Sequence, residues 1–258
     1  MTAKTHAPAT TSIATSDATS ITVRGHDLCR ELIGHVSFTD MIWLDILGVR
    51  PTAGQRAVLD ACLVTLVEHG LTPSVLASRL VYGSAPEALQ GGVAAGLLGV
   101  GSRLVGASED CAALLARIAN ASDPSAEAAT IVAEHAAAKA ALPGFGHDVH
   151  MPDDPRPARL FEVARAHGVA GRQVAALEAL ARALDAAKRR HITINATGAI
   201  AAVLADAGMP PQILRGIAVI ARCAGLVGHL LEEQRTPTMS AIWHAAEEAV
   251  PYSPDPKT

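Results

Sequence analysis

The chain has 258 residues, half of them hydrophobic, which is enough for one large domain or two small ones around a real core. Its 21 basic residues nearly balance 25 acidic ones, and no Lys/Arg run or stripe argues for nucleic acid or for a polybasic membrane contact. Aromatics make up only 3%, so the core must be built from Ala, Leu and Val, a composition that favours closely packed helices. The four cysteines, Cys29, Cys62, Cys111 and Cys223, are scattered without C-x-x-C pairing and are expected to be reduced thiols.

Residues 1–20 are polar and rich in Thr, Ala and Ser, and are expected to form a disordered tail. They contain no apolar signal-like core and no window is expected to span a membrane, so the expected location is the cytoplasm. From Leu28 onward the punctuation is helical. Pro51 and Gly70 bracket a stretch in which Leu59, Cys62, Leu63, Leu66 and Val67 share one helical face. Thr72-Pro73 reads as an N-cap followed by the first helical residue, opening a helix with Val75, Leu76 and Leu80. The Gly-rich apolar run from Gly91 to Gly101 reads as a buried helix whose glycines admit close neighbours.

Asp123-Pro124 repeats the cap-plus-proline signal and opens an Ala-rich helix to about Ala141. Leu142 to Pro157, with four prolines and two glycines, is the long irregular stretch of the interior, the kind of segment that often carries function. Helices are expected again over Arg159–His167, Arg172–Arg190, Gly198–Ala207 and Pro211–Gln234. With no convincing strand alternation, the expected fold class is all-α.

The Pro143-Gly-Phe-Gly-His147 segment sets a histidine between flexible residues, where the backbone can approach a ligand while the imidazole projects into a cleft. Followed by Asp154-Pro155-Arg156, it resembles the citrate synthase family, in which a G-x-G-H loop precedes a D-P-R triplet. Three further segments resemble the same family in the same order. Glu68–Leu80 is similar to its D-H-x-x-x-x-S segment. The stretch around Asn195-Ala-Thr197-Gly is similar to its N-V-D segment. Ile220–Glu233 is similar to its A-R-x-x-G-x-x-x-H-x-x-E helix. The short length and the opening of the matched region resemble the compact citryl-CoA lyase branch, like the C-terminal module of ATP-citrate lyase.

The resemblance implies a citrate-synthase-like multi-helical fold: a large lobe from residues 21–107 and 208–258, and a small lobe from 108–207. It implies His147 as the catalytic histidine, His69, Arg156 and Arg222 as substrate-binding residues, and Gly144, Phe145 and Gly146 as coenzyme A contacts. It also implies a homodimer, to whose neighbouring site Arg235 is a candidate contributor. Two family positions depart. The histidine of the H-G-G-A motif falls on Leu104, and the aspartate of N-V-D falls on Thr197. A threonine hydroxyl is a poor base for acetyl-CoA, which argues against a condensing enzyme.

The expected function is therefore cleavage of a citrate-type acyl-CoA to acetyl-CoA and a 2-oxo acid (oxaloacetate) by retro-Claisen scission. In that reading His147 acts as base, with Thr197 or Asn195 hydrogen-bonding the departing enolate. A citrate or 2-methylcitrate synthase (an acyltransferase) and a non-catalytic CoA or tricarboxylate binder are the alternatives. His147-x-x-His150 has loose metal-ligand spacing with no third ligand nearby in sequence. No metal and no cofactor beyond the CoA thioester substrate are therefore expected. Glu109, Asp148, Asp153 and Asp154 are expected to be solvated charges.

Overall fold

The computed structural model describes residues 9–101 and 107–254, and in them eleven α-helices dominate. They are α1 Phe38–Leu47, α2 Ala53–Val67, α3 Pro73–Ser84, α4 Leu89–Leu98, α5 Ala107–Asn120, α6 Pro124–Ala137, α7 Pro155–Ala166, α8 Arg172–Lys188, α9 Ala196–Asp206, α10 Leu214–Arg235 and α11 Met239–Ala249. Local chemistry starts most of them. Ser37 with Asp40 and Thr52 with Gln55 form reciprocal capping boxes at α1 and α2. The carboxylates of Asp123 and Asp154 cap α6 and α7 ahead of a first-turn proline. The Asn195 side chain caps α9.

Three expectations need correction. The tail expected over residues 1–20 includes structure: β1 Ala14–Ser16, β2 Ile21–Val23 and β3 His26–Asp27 form a small antiparallel meander in the order β1-β2-β3. Asp17 closes its first turn by accepting from the backbone N–H groups of Thr19 and Ser20, both at 2.8 Å. Arg24 Nε ties the meander to α1 through the Asp45 carbonyl at 2.9 Å. Helix α7 starts at Pro155, inside the segment expected to be irregular, because Asp154-Pro155 is the same start signal as Asp123-Pro124. Finally, the run from Pro211 to Arg235 is long and apolar enough to span a bilayer. It packs against α2, α3 and α4 and carries buried Arg222 and Glu233, so a place in the helical core accounts for its composition.

Helix α9 lies at the centre, against α2, α5, α7 and α8, and is apolar on all sides, with Ala199, Ile200, Ala201, Ala202, Val203 and Leu204 buried. The expected glycine packing is realised in α4. A Cβ on Gly96 would stand 2.6 Å from a Leu226 methyl of α10 and 2.9 Å from the Ser74 carbonyl of α3. Gly225 brings α10 equally close to the end of α2, where a Cβ would meet the Val67 carbonyl at 2.1 Å. The Gly225 contact sets the turn after α2 against the middle of α10.

Candidate active site

The segment before α7 is stapled onto the chain that leads into α9. Gly146 N–H donates to the Thr193 carbonyl (2.9 Å), and Asn195 N–H donates to the Gly144 carbonyl (3.0 Å). Phe145 and Ile194 pair as an isolated antiparallel bridge. Asn195 completes the staple: its carbonyl oxygen accepts from Gly198 N–H (3.1 Å) and its amide donates to the Gly146 carbonyl (3.0 Å). Gly144 and Gly198 face each other so closely that a Cβ on Gly198 would lie 2.6 Å from the Gly144 carbonyl. His147 therefore leaves a backbone fixed on both sides.

Its ring is fixed as well. His147 Nδ1 accepts hydrogen bonds from the backbone N–H groups of Val149 (3.0 Å) and His150 (3.1 Å). In the neutral ring the proton then sits on Nε2, which stands 3.2 Å from Nη2 of Arg156. Two donors aimed at one place are satisfied by an acceptor oxygen. Burial, then the neighbouring His150 and Arg156, lower the affinity of this ring for a second proton, against a smaller opposing effect of Asp154 and Asp148. The sequence reading expects His147 to take the hydroxyl proton; with its Nδ1 lone pair turned to the backbone, this arrangement instead sets the ring to offer an N–H.

Two more histidines join it. The His147 ring lies 4.4 Å from that of His150 and 5.7 Å from that of His69, centroid to centroid, and His69 and His150 stack at 5.7 Å. One ring nitrogen from each falls within 4.8 Å of the others. The third histidine that the sequence did not place beside His147 and His150 thus arrives from the turn between α2 and α3. Three imidazoles also describe a metal site. Here, however, the Arg156 guanidinium stands against His147, and Arg156 and Arg222 both act on His69. These two cations favour an anionic ligand at the cluster.

The two arginines are held differently. Asp154, expected to be a solvated charge, is buried, and its carboxylate takes Arg156 Nε (2.9 Å), Arg156 Nη2 (2.7 Å) and the N–H groups of Arg156 and Ala196 (both 3.0 Å). Burial raises the pKa of this carboxyl, and the Arg156 hydrogen bonds more than offset that, so it lies below the usual carboxylate range. Arg222 is buried in α10 with Nη1 3.9 Å from Glu68 Oε1, and among the described residues that nitrogen has no hydrogen bond. Glu68 in turn accepts from the N–H groups of His69 (2.8 Å) and Gly70 (2.9 Å), which shapes the turn that presents His69. His229 Nε2 stands 2.9 Å from Glu68, and His229 Nδ1 faces Arg79, a buried residue paired with Glu233 at 2.9 Å.

Of the residues singled out in the sequence, His69, His147, Arg156 and Arg222 come together around one point. Thr197 sits in the first turn of α9, two residues beyond the staple, and Asn195 is committed to building that staple. Gly144 is buried against Cys111 and Gly198, Phe145 packs partly into the core, and Gly146 faces open space. Arg235 ends α10, exposed. Leu104 lies outside the described residues. Sequence reasoning missed the tasks of His150, Asp154, Glu68 and His229. The Asp-Pro cap could have exposed Asp154; the others depend on contacts between distant segments. Glu109 and Asp153 do behave as surface charges, paired with Arg215 (3.4 Å) and His191 (2.8 Å).

Comparison with known proteins places this geometry. No curated protein sequence matches the chain. Among solved structures, the citryl-CoA lyase from Hydrogenobacter thermophilus superposes with a TM-score of 0.86 at 31% identity, covering 96% of each chain. The ATP citrate lyase of Methanosaeta concilii, solved with (3S)-citryl-CoA, gives 0.82 at 20% identity over 98% of this chain, which spans only 43% of that longer protein. Citrate synthase from Thermotoga maritima gives 0.67 at 20% identity, covering 86% of this chain and 57% of that one. Residues 35–244 match the family described as citrate synthase, C-terminal domain, so the chain belongs to the citrate synthase family.

Proposed function

We propose that the chain is a carbon–carbon lyase that cleaves citryl-CoA to acetyl-CoA and oxaloacetate by retro-Claisen scission. One observation carries the reading: three histidines and two arginines converge on one point, while the family's carboxylate base is Thr197. The likeness to the citryl-CoA lyase from Hydrogenobacter thermophilus over nearly the whole of both chains supports it.

The chemistry follows from the groups present. Arg222, buried without a hydrogen-bonded anion at Nη1, is suited to one substrate carboxylate, and Arg156 to another. His147 Nε2–H and Arg156 Nη2 face the oxygen on the carbon that becomes the ketone. When that hydroxyl loses its proton, its electrons form the carbonyl and the C–C bond breaks. The bonding pair passes to the thioester enolate, which takes its proton from water. Thr197, in the positive first turn of α9, supplies a hydroxyl to the enolate oxygen. A condensing enzyme would have to deprotonate acetyl-CoA, for which Thr197 is unsuited. No cofactor beyond the CoA thioester is required, and Phe145 with Gly146 offers it a backbone contact.

Residues 108–207 form the lobe that closes over this ligand, and two chains pair as a homodimer. Exposed Val227 and Leu231 on α10 and Trp243 on α11 support the pairing. A cytoplasmic location agrees with four free cysteines, two of them buried. Incubating pure protein with citryl-CoA, and separately with acetyl-CoA plus oxaloacetate, tests the function. Release of acetyl-CoA in the first arm supports it. Net citrate formation in the second arm, or inertness in both, removes it.

A further inference from the structure

We propose that His150 is the group that takes the hydroxyl proton of the substrate. The inference rests on the lyase reading and adds to it the proton acceptor that His147 cannot be.

The argument begins with a distance. Three ring nitrogens, none more than 4.8 Å from another, leave a point within about 2.8 Å of all three (the side of an equilateral triangle divided by √3), a normal length for a hydrogen bond to oxygen. One substrate oxygen therefore fits among His69, His147 and His150. An oxygen that begins as a hydroxyl and ends as a ketone needs donors for its growing charge and one acceptor for its proton. His147 is a donor, because Val149 and His150 N–H groups occupy its Nδ1. Arg156 is a donor by nature.

Two candidates remain, and their surroundings differ. His69 is exposed on the turn after α2. Partial desolvation of its ring by the neighbouring segments lowers its proton affinity most, and Arg156, His147, His150 and Arg222 all act in the same direction. It is placed to orient the oxygen and poorly placed to gain a charge. Neither ring has a hydrogen-bonding partner among the described residues, so position separates them: His150 is half-buried and lies on the His147 loop itself. The same peptide N–H that fixes His147 as a donor carries the His150 ring, 4.4 Å from the His147 ring. One turn thus presents a donor and an acceptor side by side. Among the described residues, the charged and titratable groups around the pair are Asp148 on the same loop, Asp154 and Arg156 at the start of α7, His69 after α2 and Arg222 on α10.

The step balances. A neutral His150 nitrogen accepts the hydroxyl proton, the O–H pair becomes the carbonyl π bond, and the C–C pair leaves as the enolate. The imidazolium then returns its proton to solvent as water protonates the enolate carbon.

The test compares wild type and His150→Gln in citryl-CoA cleavage across pH, and reads the imidazole nitrogens of the wild type by ¹⁵N NMR with citrate and CoA bound. Glutamine can hold a hydrogen bond but cannot take a proton in this range. The expected result is a kcat lower by about 10²–10³-fold, KM changed by less than about threefold, and loss of the acid limb of the kcat profile. The expected spectrum shows a neutral His150 whose unprotonated nitrogen accepts from the ligand. With an active wild type, a variant kcat within about threefold, or an intact acid limb, overturns the assignment and leaves the lyase reading standing. A wild type inert toward citryl-CoA overturns the lyase reading. In that case, or if the variant fails to fold, the spectrum decides. A His150 nitrogen that accepts from citrate upholds its role, and a His150 N–H donated to citrate overturns it.

Discussion

The two arginines of the site are built on opposite principles. Arg156 is locked in place by a buried carboxylate, and the same carboxylate caps α7 and holds the first N–H of α9. Arg222 is buried more deeply, yet its nearest anion among the described residues is the half-exposed Glu68, 3.9 Å away, already engaged with the His69 turn. Burial lowers the proton affinity of Arg222, and Glu68 is the carboxylate that opposes it. One arginine is thus part of the frame and the other is poised for a ligand. Pre-organisation and vacancy sit on opposite sides of the same three histidines, a sensible division for a substrate with several carboxylates.

That contrast can be broken from either side. The largest effect is expected at Asp154. Asp154→Ala removes the partner of Arg156 and a cap of α7 together, and should cost about 3 kcal/mol of stability in denaturant unfolding. The second effect has mixed sign. Arg222→Met removes an under-paired buried cation, so stability should stay within about 1 kcal/mol or rise. Affinity for citrate, by calorimetry, should fall about 10–100-fold, the value of one charge-assisted hydrogen-bonded contact. If instead Arg222→Met unfolds the protein and Asp154→Ala only weakens binding, the assignments are reversed.

A third variant probes the missing base. Thr197→Val should lower cleavage about 10–10²-fold through loss of one donor to the enolate. Thr197→Asp should gain measurable condensation of acetyl-CoA with oxaloacetate.

The smallest effect is a pH dependence. Burial first, then the neighbouring cations, lower the proton affinities of His69 and His147 below the usual imidazole value of 6.5. The unfolded chain therefore holds more protons than the folded one just below pH 6.5, so stability should rise with pH there and be lost on acidification. Bound carboxylates act the other way on both rings, so citrate binding should take up a fraction of a proton and tighten as pH falls towards 6. Calorimetry in two buffers of different ionisation enthalpy measures it.

The frame was legible because its signals are local. Asp123-Pro124 and Thr72-Pro73 mark helix starts without reference to the rest of the molecule, and the glycines of α4 announce the close approach that Gly96 makes. The meander over residues 14–27 was hidden because strands of two or three residues leave no alternation to read. Helix α11 was missed although Met239, Ile242, Trp243 and Ala246 share one helical face, and it buries none of its residues. At the site, the resemblance placed His69, His147, Arg156 and Arg222, which the structure brings together. It did not reveal that Nδ1 of His147 is spent on its own loop, nor that His229 and Arg79 stand behind Glu68. Those relations depend on ring orientation and on side chains about 150 positions apart, which no spacing encodes.

The most direct measurement of the central claim is a single-turnover reaction of excess protein with citryl-CoA, comparing wild type, Arg222→Met and His147→Ala. The account predicts that wild type releases acetyl-CoA and oxaloacetate in equal amounts. Arg222→Met should cleave at a similar rate once saturated but require about 10–100-fold more protein to saturate, and His147→Ala should bind yet cleave about 10²–10³-fold more slowly. Cleavage by His147→Ala at the wild-type rate, or release of free citrate and CoA in place of acetyl-CoA, would contradict it.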